Sequence, residues 1–87
     1  MKKTLGILGG MGPQATIDLM QRVLDLTKAE TDQQHLRIIV DNDPQIPDRI
    51  AAVLSDGEDP LPAMLEAARN LERCAVGCIA IPCITAH

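Results

Sequence analysis

With 87 residues the chain falls below the ~100–200 residues of an ordinary domain, so it is one small domain or a piece of a larger one. Its 46% apolar and 23% charged residues are those of a globular chain, and with no aromatic residue the core must come from 10 Leu, 9 Ile, 4 Val, 10 Ala and 4 Met, a thin supply for a fold of this size. A net charge of −4, with the 8 Lys and Arg scattered along the chain, excludes a nucleic-acid partner, and no apolar run approaches the ~20 residues of a membrane span.

Leu5 to Leu8 is a short continuous apolar run closed by Gly9-Gly10, which predicts a strand buried on both faces of a parallel sheet. Pro13 suits the first turn of a helix, and Ile17, Met20, Val23, Leu24 and Thr27 follow as its expected buried stripe. Leu36 to Val40 predicts a second strand, which runs out into Asp41-Asn42-Asp43-Pro44. A short helix is expected from about Asp48 to Leu54, capped by Asp48 and stopped near Gly57. Asp59-Pro60 predicts the start of a longer helix with Pro60 at its first position and a stripe of Leu61, Met64, Leu65, Ala68, Leu71 and Ala75. Gly77 is its expected stop, and Cys78 to Ile81 the third strand.

This order of elements predicts an α/β fold, a mostly parallel sheet with flanking helices and right-handed crossovers. Ligands of such sheets bind outside the carboxyl ends of the strands, so the segments Gly9 to Pro13, Asn42 to Arg49 and Pro82 to His87 are expected to converge on one site.

Each segment carries a candidate chemistry beside a plainer one. The glycine turn can present backbone amides and a helix N-terminus to a small anion such as a carboxylate, or it is simply a tight turn. Gly10, Gly12 and Ala15 also fit a relaxed dinucleotide fingerprint, but Pro13 removes an amide and the acidic Asp41 lies too far along. Arg49 can grip a carboxylate bidentately, or pair on the surface with Asp48 or Asp43. Cys83 follows a strand end and precedes Thr85, a reasonable N-cap, and a thiol at a helix N-terminus is a competent base or nucleophile near neutral pH. Cys74 and Cys78 read as small core hydrophobes. Zinc on Cys74, Cys78, Cys83 and His87 is disfavoured, because the spacing crosses a helix end and a strand, and no metal or other cofactor is expected. Three cysteines, an odd number, indicate reduced thiols and a cytoplasmic protein.

Together these segments resemble the aspartate/glutamate racemase family, in particular its aspartate racemase and amino-acid racemase members. The resemblance is carried by Leu5-Gly6-Ile7-Leu8-Gly9-Gly10-Met11-Gly12-Pro13, by Asp41-Asn42-Asp43-Pro44-Gln45-Ile46-Pro47-Asp48-Arg49, by Gly57-Glu58-Asp59-Pro60 and by Pro82-Cys83-Ile84-Thr85-Ala86-His87. It implies a fold of two similar α/β domains facing each other across the active site, of which residues 1–87 make the first, incomplete at its C-terminal end. It also implies cofactor-independent racemisation of aspartate or glutamate by two cysteines on opposite faces of the α-carbon. On that basis Cys83 is the first of the pair, Arg49 binds a substrate carboxylate, Met11 and Gly10 line the pocket, and Thr85 holds the α-carboxylate. The second cysteine belongs to the second domain, so the chain is expected to be a truncated racemase with little activity alone and a tendency to self-associate. The sequence departs from the family at Ile84, where Asn is usual, and around Val76-Gly77. The rival expectations are a non-catalytic module that binds an acidic amino acid, or an inactive remnant, and, from the glycine turn alone, a nucleotide-binding α/β fragment.

Overall fold

The computed structural model describes residues 3–54 and 57–82. The elements run β1 (Leu5–Gly9), α1 (Pro13–Leu26), a 3-10 turn (Asp32–Gln34), β2 (Ile38–Asn42), α2 (Arg49–Leu54), α3 (Leu61–Arg73) and β3 (Cys78–Ala80). The three strands form a parallel sheet in the order β2-β1-β3, so the α/β expectation holds. Among the described residues no helix is long and apolar enough to cross a membrane.

Side-chain alternation assigns α1 and α3 to opposite faces of the sheet. A side chain at Gly9 would run into Thr16 of α1, while one at Gly6 would run into Val76, just beyond α3. Leu5, Ile7 and Gly9 therefore face α1, and Gly6 and Leu8 face α3. Ile7 is fully buried. On the other face Leu8 joins Ile46, Ala67 and Leu71 in the main core cluster, with Ile39, Met64 and Val76 packed against it. The core is as thin as the composition predicts: among the described residues five apolar side chains are buried, Ile7, Leu8, Ile46, Ala67 and Leu71.

The departures from the sequence reading have identifiable causes. Strand β2 lies two residues later than its apolar run, because the pairing of Ile38 with Leu5 through Asn42 with Gly9 fixes its extent. Its polar end is absorbed by partners outside the strand: the Asn70 side-chain amide donates to Asp41 Oδ2 at 3.2 Å, and Arg73 donates to Asn70 Oδ1 at 2.9 Å. The expected stripe of α1 is turned. Thr16, Leu19, Val23 and Thr27 take the sheet side, all buried or half-buried, while Ile17 and Leu24 are 58% and 51% exposed. The helix carries two adjacent apolar strips, and periodicity alone does not say which one meets the sheet. Likewise in α3 Ala67 and Leu71 are buried, whereas Leu61 and Leu65 are exposed.

Helix α3 also ends before Gly77. Its last turn closes with the Cys74 amide on the Leu71 carbonyl at 3.0 Å and the Ala75 amide on Glu72 at 2.9 Å, and Ala75 takes the left-handed conformation at φ 59°. Gly77 serves the sheet instead: its amide donates to the Thr4 carbonyl at 2.8 Å, and a Cβ there would lie 2.7 Å from that of Lys3.

The helix starts agree closely with expectation. Asp48 Oδ1 accepts the Ile50 amide at 2.9 Å, so Asp48 caps α2. Asp59 Oδ1 accepts the Leu61 amide at 3.0 Å, and α3 begins one residue after Pro60. Asp48→Ala is expected to lower stability by about 1 kcal/mol through loss of its cap, read as a fall in the urea midpoint with an unchanged m-value; Asp48→Asn, which keeps an acceptor, is expected to hold most of it.

Candidate functional site at the carboxyl edge of the sheet

Parallel pairing forces all three strands to release their chains at the same edge. Gly9 stands opposite Asn42, and Ile7 opposite Ala80, so the three following segments start side by side. Strand β1 is central, and the chain leaves it for β2 on one side, then crosses to β3 on the other. This reversal at the end of β1 is a topological switch point, where open α/β sheets bind ligands.

The first two segments are joined directly. Gly10 has φ +108°, a conformation that L side chains rarely adopt, and a Cβ there would overlap the Asp43 carbonyl and lie 2.7 Å from its amide nitrogen. The Asp43 amide donates to the Gly9 carbonyl at 3.1 Å. Only glycine allows this approach, which sets the glycine turn against the start of the second loop.

That loop is ordered by its own acidic residue. Asp43 Oδ1 accepts the Gln45 amide at 2.9 Å, and the Asp43 carbonyl accepts the Ile46 amide at 3.3 Å, a turn built by an Asx side chain. The turn drives Ile46 into the core at 7% exposure, where Met11 from the first segment and Ile81, just after β3, pack on the same cluster. One apolar cluster under Leu8 thus ties the first two segments to the end of the third strand, from which the third segment departs. Arg49 opens α2 directly after the Asp48 cap, three residues from the buried Ile46. Met11 is half-buried and Gly10 fully buried. Cys83, Ile84, Thr85 and His87 lie outside the described residues.

Two residues that position this edge were not singled out in the sequence. Ile46 is the anchor of the second loop, and its signal is an isolated apolar residue between polar and proline positions. Thr16, 3% exposed, accepts the Gly10 amide on Oγ1 at 3.1 Å; its signal is its place three and seven residues before Leu19 and Val23 on the sheet side of α1. That hydrogen bond directs the Gly10 amide inward and counts against a pyrophosphate cradle at the turn.

The other two cysteines correct the expectation of a core role. Cys74 and Cys78 are both exposed. Cys74 falls at the C-terminal cap of α3, and Cys78 sits on strand β3 at the sheet's edge with β1 as its neighbour on one side, so neither is enclosed. Among the described residues no cluster of His, Cys, Asp and Glu can hold a metal ion. A hollow of about 150 Å³ lies between the end of β2 and α3, lined by Asp41, Asp43, Glu66 and Asn70 with Ala63 and Ala67. Its three carboxylates make it a poor place for an anion.

Comparison with known proteins agrees with this architecture. The family model of Asp/Glu/Hydantoin racemase matches residues 8–87. The broad specificity amino-acid racemase RacX of Bacillus subtilis (strain 168) is 33% identical over 89 aligned positions, which cover 95% of this chain and 37% of that protein. The solved structure of Picrophilus torridus aspartate racemase superposes with a TM-score of 0.93 at 42% identity, over 99% of this chain and 37% of its own. The chain thus spans somewhat over a third of the length of either relative and corresponds to part of the racemase fold. With family model, sequence relatives and sheet topology in agreement, this chain belongs to the Asp/Glu/hydantoin racemase family.

Proposed function

We propose that this chain supplies one side of an active site that racemises an acidic amino acid, aspartate or glutamate, without a cofactor. The observation that carries the reading is the meeting of the first two motif segments at the carboxyl edge of the sheet, with Met11 and Ile46 packed on one cluster with Ile81, just before the third motif.

In this reading the Cys83 thiolate removes the α-proton, and the electron pair of the broken C–H bond delocalises into the α-carboxylate as an enediolate. A thiol on the opposite face returns a proton to carbon, which inverts the centre; for the reverse substrate the two sulfurs exchange roles. Arg49 grips a substrate carboxylate, Thr85 holds the α-carboxylate, and Met11 with Gly10 forms the pocket wall. Donors fixed where charge develops stabilise the transition state more than the ground state. The opposing thiol comes from the part of the relatives' length that this chain does not span, and the exposed Ile17 and Leu24 accord with burial against further protein, in a second domain or another copy. The reducing cytoplasm keeps both thiols competent.

The test joins residues 1–87 to the complementary part of the Bacillus subtilis relative and incubates the product with L-aspartate or L-glutamate in heavy water. Loss of the α-proton signal and appearance of the D-enantiomer are expected for the joined protein, with at most trace exchange for the 87-residue chain alone. Efficient racemisation by the chain alone would show that no opposing residue is required. Binding of aspartate by the joined protein with no exchange would instead identify an amino-acid binding module.

A further inference from the structure

We infer that Thr16 is a positioning residue of this site, a latch through which helix α1 sets the place of Met11 and the spacing of the first two loops. The inference rests on the reading of Met11 as pocket wall. Thr16 lies on α1 with its side chain under the glycine turn, buried, with Oγ1 accepting the Gly10 amide at 3.1 Å. Its Cγ2 would meet a side chain at Gly9 at 2.7 Å, so the residue both fills the space below the turn and bonds to it. The turn is held from the other side by the Asp43 amide on the Gly9 carbonyl and by the close contact of Gly10 with the Asp43 backbone.

Gly9 and Gly10 are thus gripped between Thr16 and Asp43, and Met11 is the next residue of the chain. The first turn of α1, the glycine turn and the Asp43–Ile46 turn are joined by a continuous series of contacts. A change at Thr16 is transmitted to Met11 directly and to the Arg49 loop through Asp43. Misplacement of a substrate-positioning group by about 1 Å is enough to lower turnover up to ~100-fold.

The chain contains four methionines, so their methyl groups, labelled with carbon-13, report separately on the latch. Met64 packs on the same core cluster as Met11 but lies on α3, and serves as the control for general loosening. In the 87-residue chain Thr16→Val, which keeps the volume and removes the acceptor, is expected to shift and broaden the Met11 methyl signal while leaving that of Met64 in place. Thr16→Ser, which restores the hydroxyl, is expected to return it. In the joined racemase the valine variant is expected to lose about 10- to 100-fold in kcat/KM, chiefly in kcat, with recovery in the serine variant. Equal disturbance of Met11 and Met64, or failure of serine to restore Met11, would reduce Thr16 to a packing residue and overturn the proposal. So would a moved Met11 with unchanged kcat/KM. Absence of racemisation in the unsubstituted joined protein would fail the functional reading alone, since the methyl comparison still decides whether the latch exists.

Discussion

Replacing Cys83 by serine in the joined racemase is expected to lower racemisation by about 10²–10⁴-fold, the usual contribution of a positioned acid-base group. A free thiol ionises near pH 8.5, far closer to neutrality than an aliphatic hydroxyl, so sulfur is the better acid-base group at working pH. The serine hydroxyl offers no comparable base, while its size and polarity leave the pocket nearly unchanged. The loss is therefore expected in kcat with KM little altered, and in both directions of racemisation. Exchange of the α-proton with deuterium separates the two half-reactions and shows which face of the substrate Cys83 serves. Cys74→Ser and Cys78→Ser are expected to retain activity, since both residues are exposed and neither follows a strand at the carboxyl edge. Full activity of the Cys83 variant would remove it from the mechanism.

Gly10→Ala is expected to be the most damaging single-methyl change among the described residues, at about 4 kcal/mol. Part of this is conformational, because a non-glycine residue held in a sparsely populated region of φ/ψ space costs about 1–3 kcal/mol, and Gly10 stands at φ +108°. The remainder is steric, because overpacking a tight site costs about 1–3 kcal/mol and the new Cβ would overlap the Asp43 backbone. Neither partner yields easily: Asp43 is tied to Gly9 and to the turn at Ile46, and the Gly10 amide is tied to Thr16. Such a loss is a large part of the ~5–15 kcal/mol that stabilises ordinary domains. Urea unfolding of the chain and of the joined protein reads it as a drop in midpoint. Gly12→Ala is the matched control. Nothing stands within 4 Å of a Cβ at Gly12, and a small effect is expected there.

These two positions illustrate how differently the sequence informs on a site. Cys83 is proposed from its place after an apolar run, because a strand end in a parallel sheet is a known location for chemistry. Gly10 is legible only as a member of a glycine turn; that its Cβ position is closed off by the backbone of Asp43, thirty-three positions away, follows from the pairing of β1 with β2. Thr16 shows the limit most plainly, since its stripe is one residue away from a more apolar one that begins at Ile17. The helix buries the strip that fits beneath Gly9, where the absence of a side chain leaves room for a threonine.

The sequence by itself determined the fold class, the order of its main elements, the cap at Asp48, the start of α3 to within one residue, and the racemase family through motifs placed at strand ends. Local signals suffice for these, since periodicity, capping and turn chemistry act over a few residues. The tertiary structure decided which face of each helix is buried, where β2 begins and ends, why α3 stops before Gly77, and that Cys74 and Cys78 are open to solvent. It also decided that Thr16, Gly10, Asp43 and Ile46 form one grip beneath the loops. All of these depend on pairing and close approach between residues distant in the chain, and short-range patterning carries no record of them.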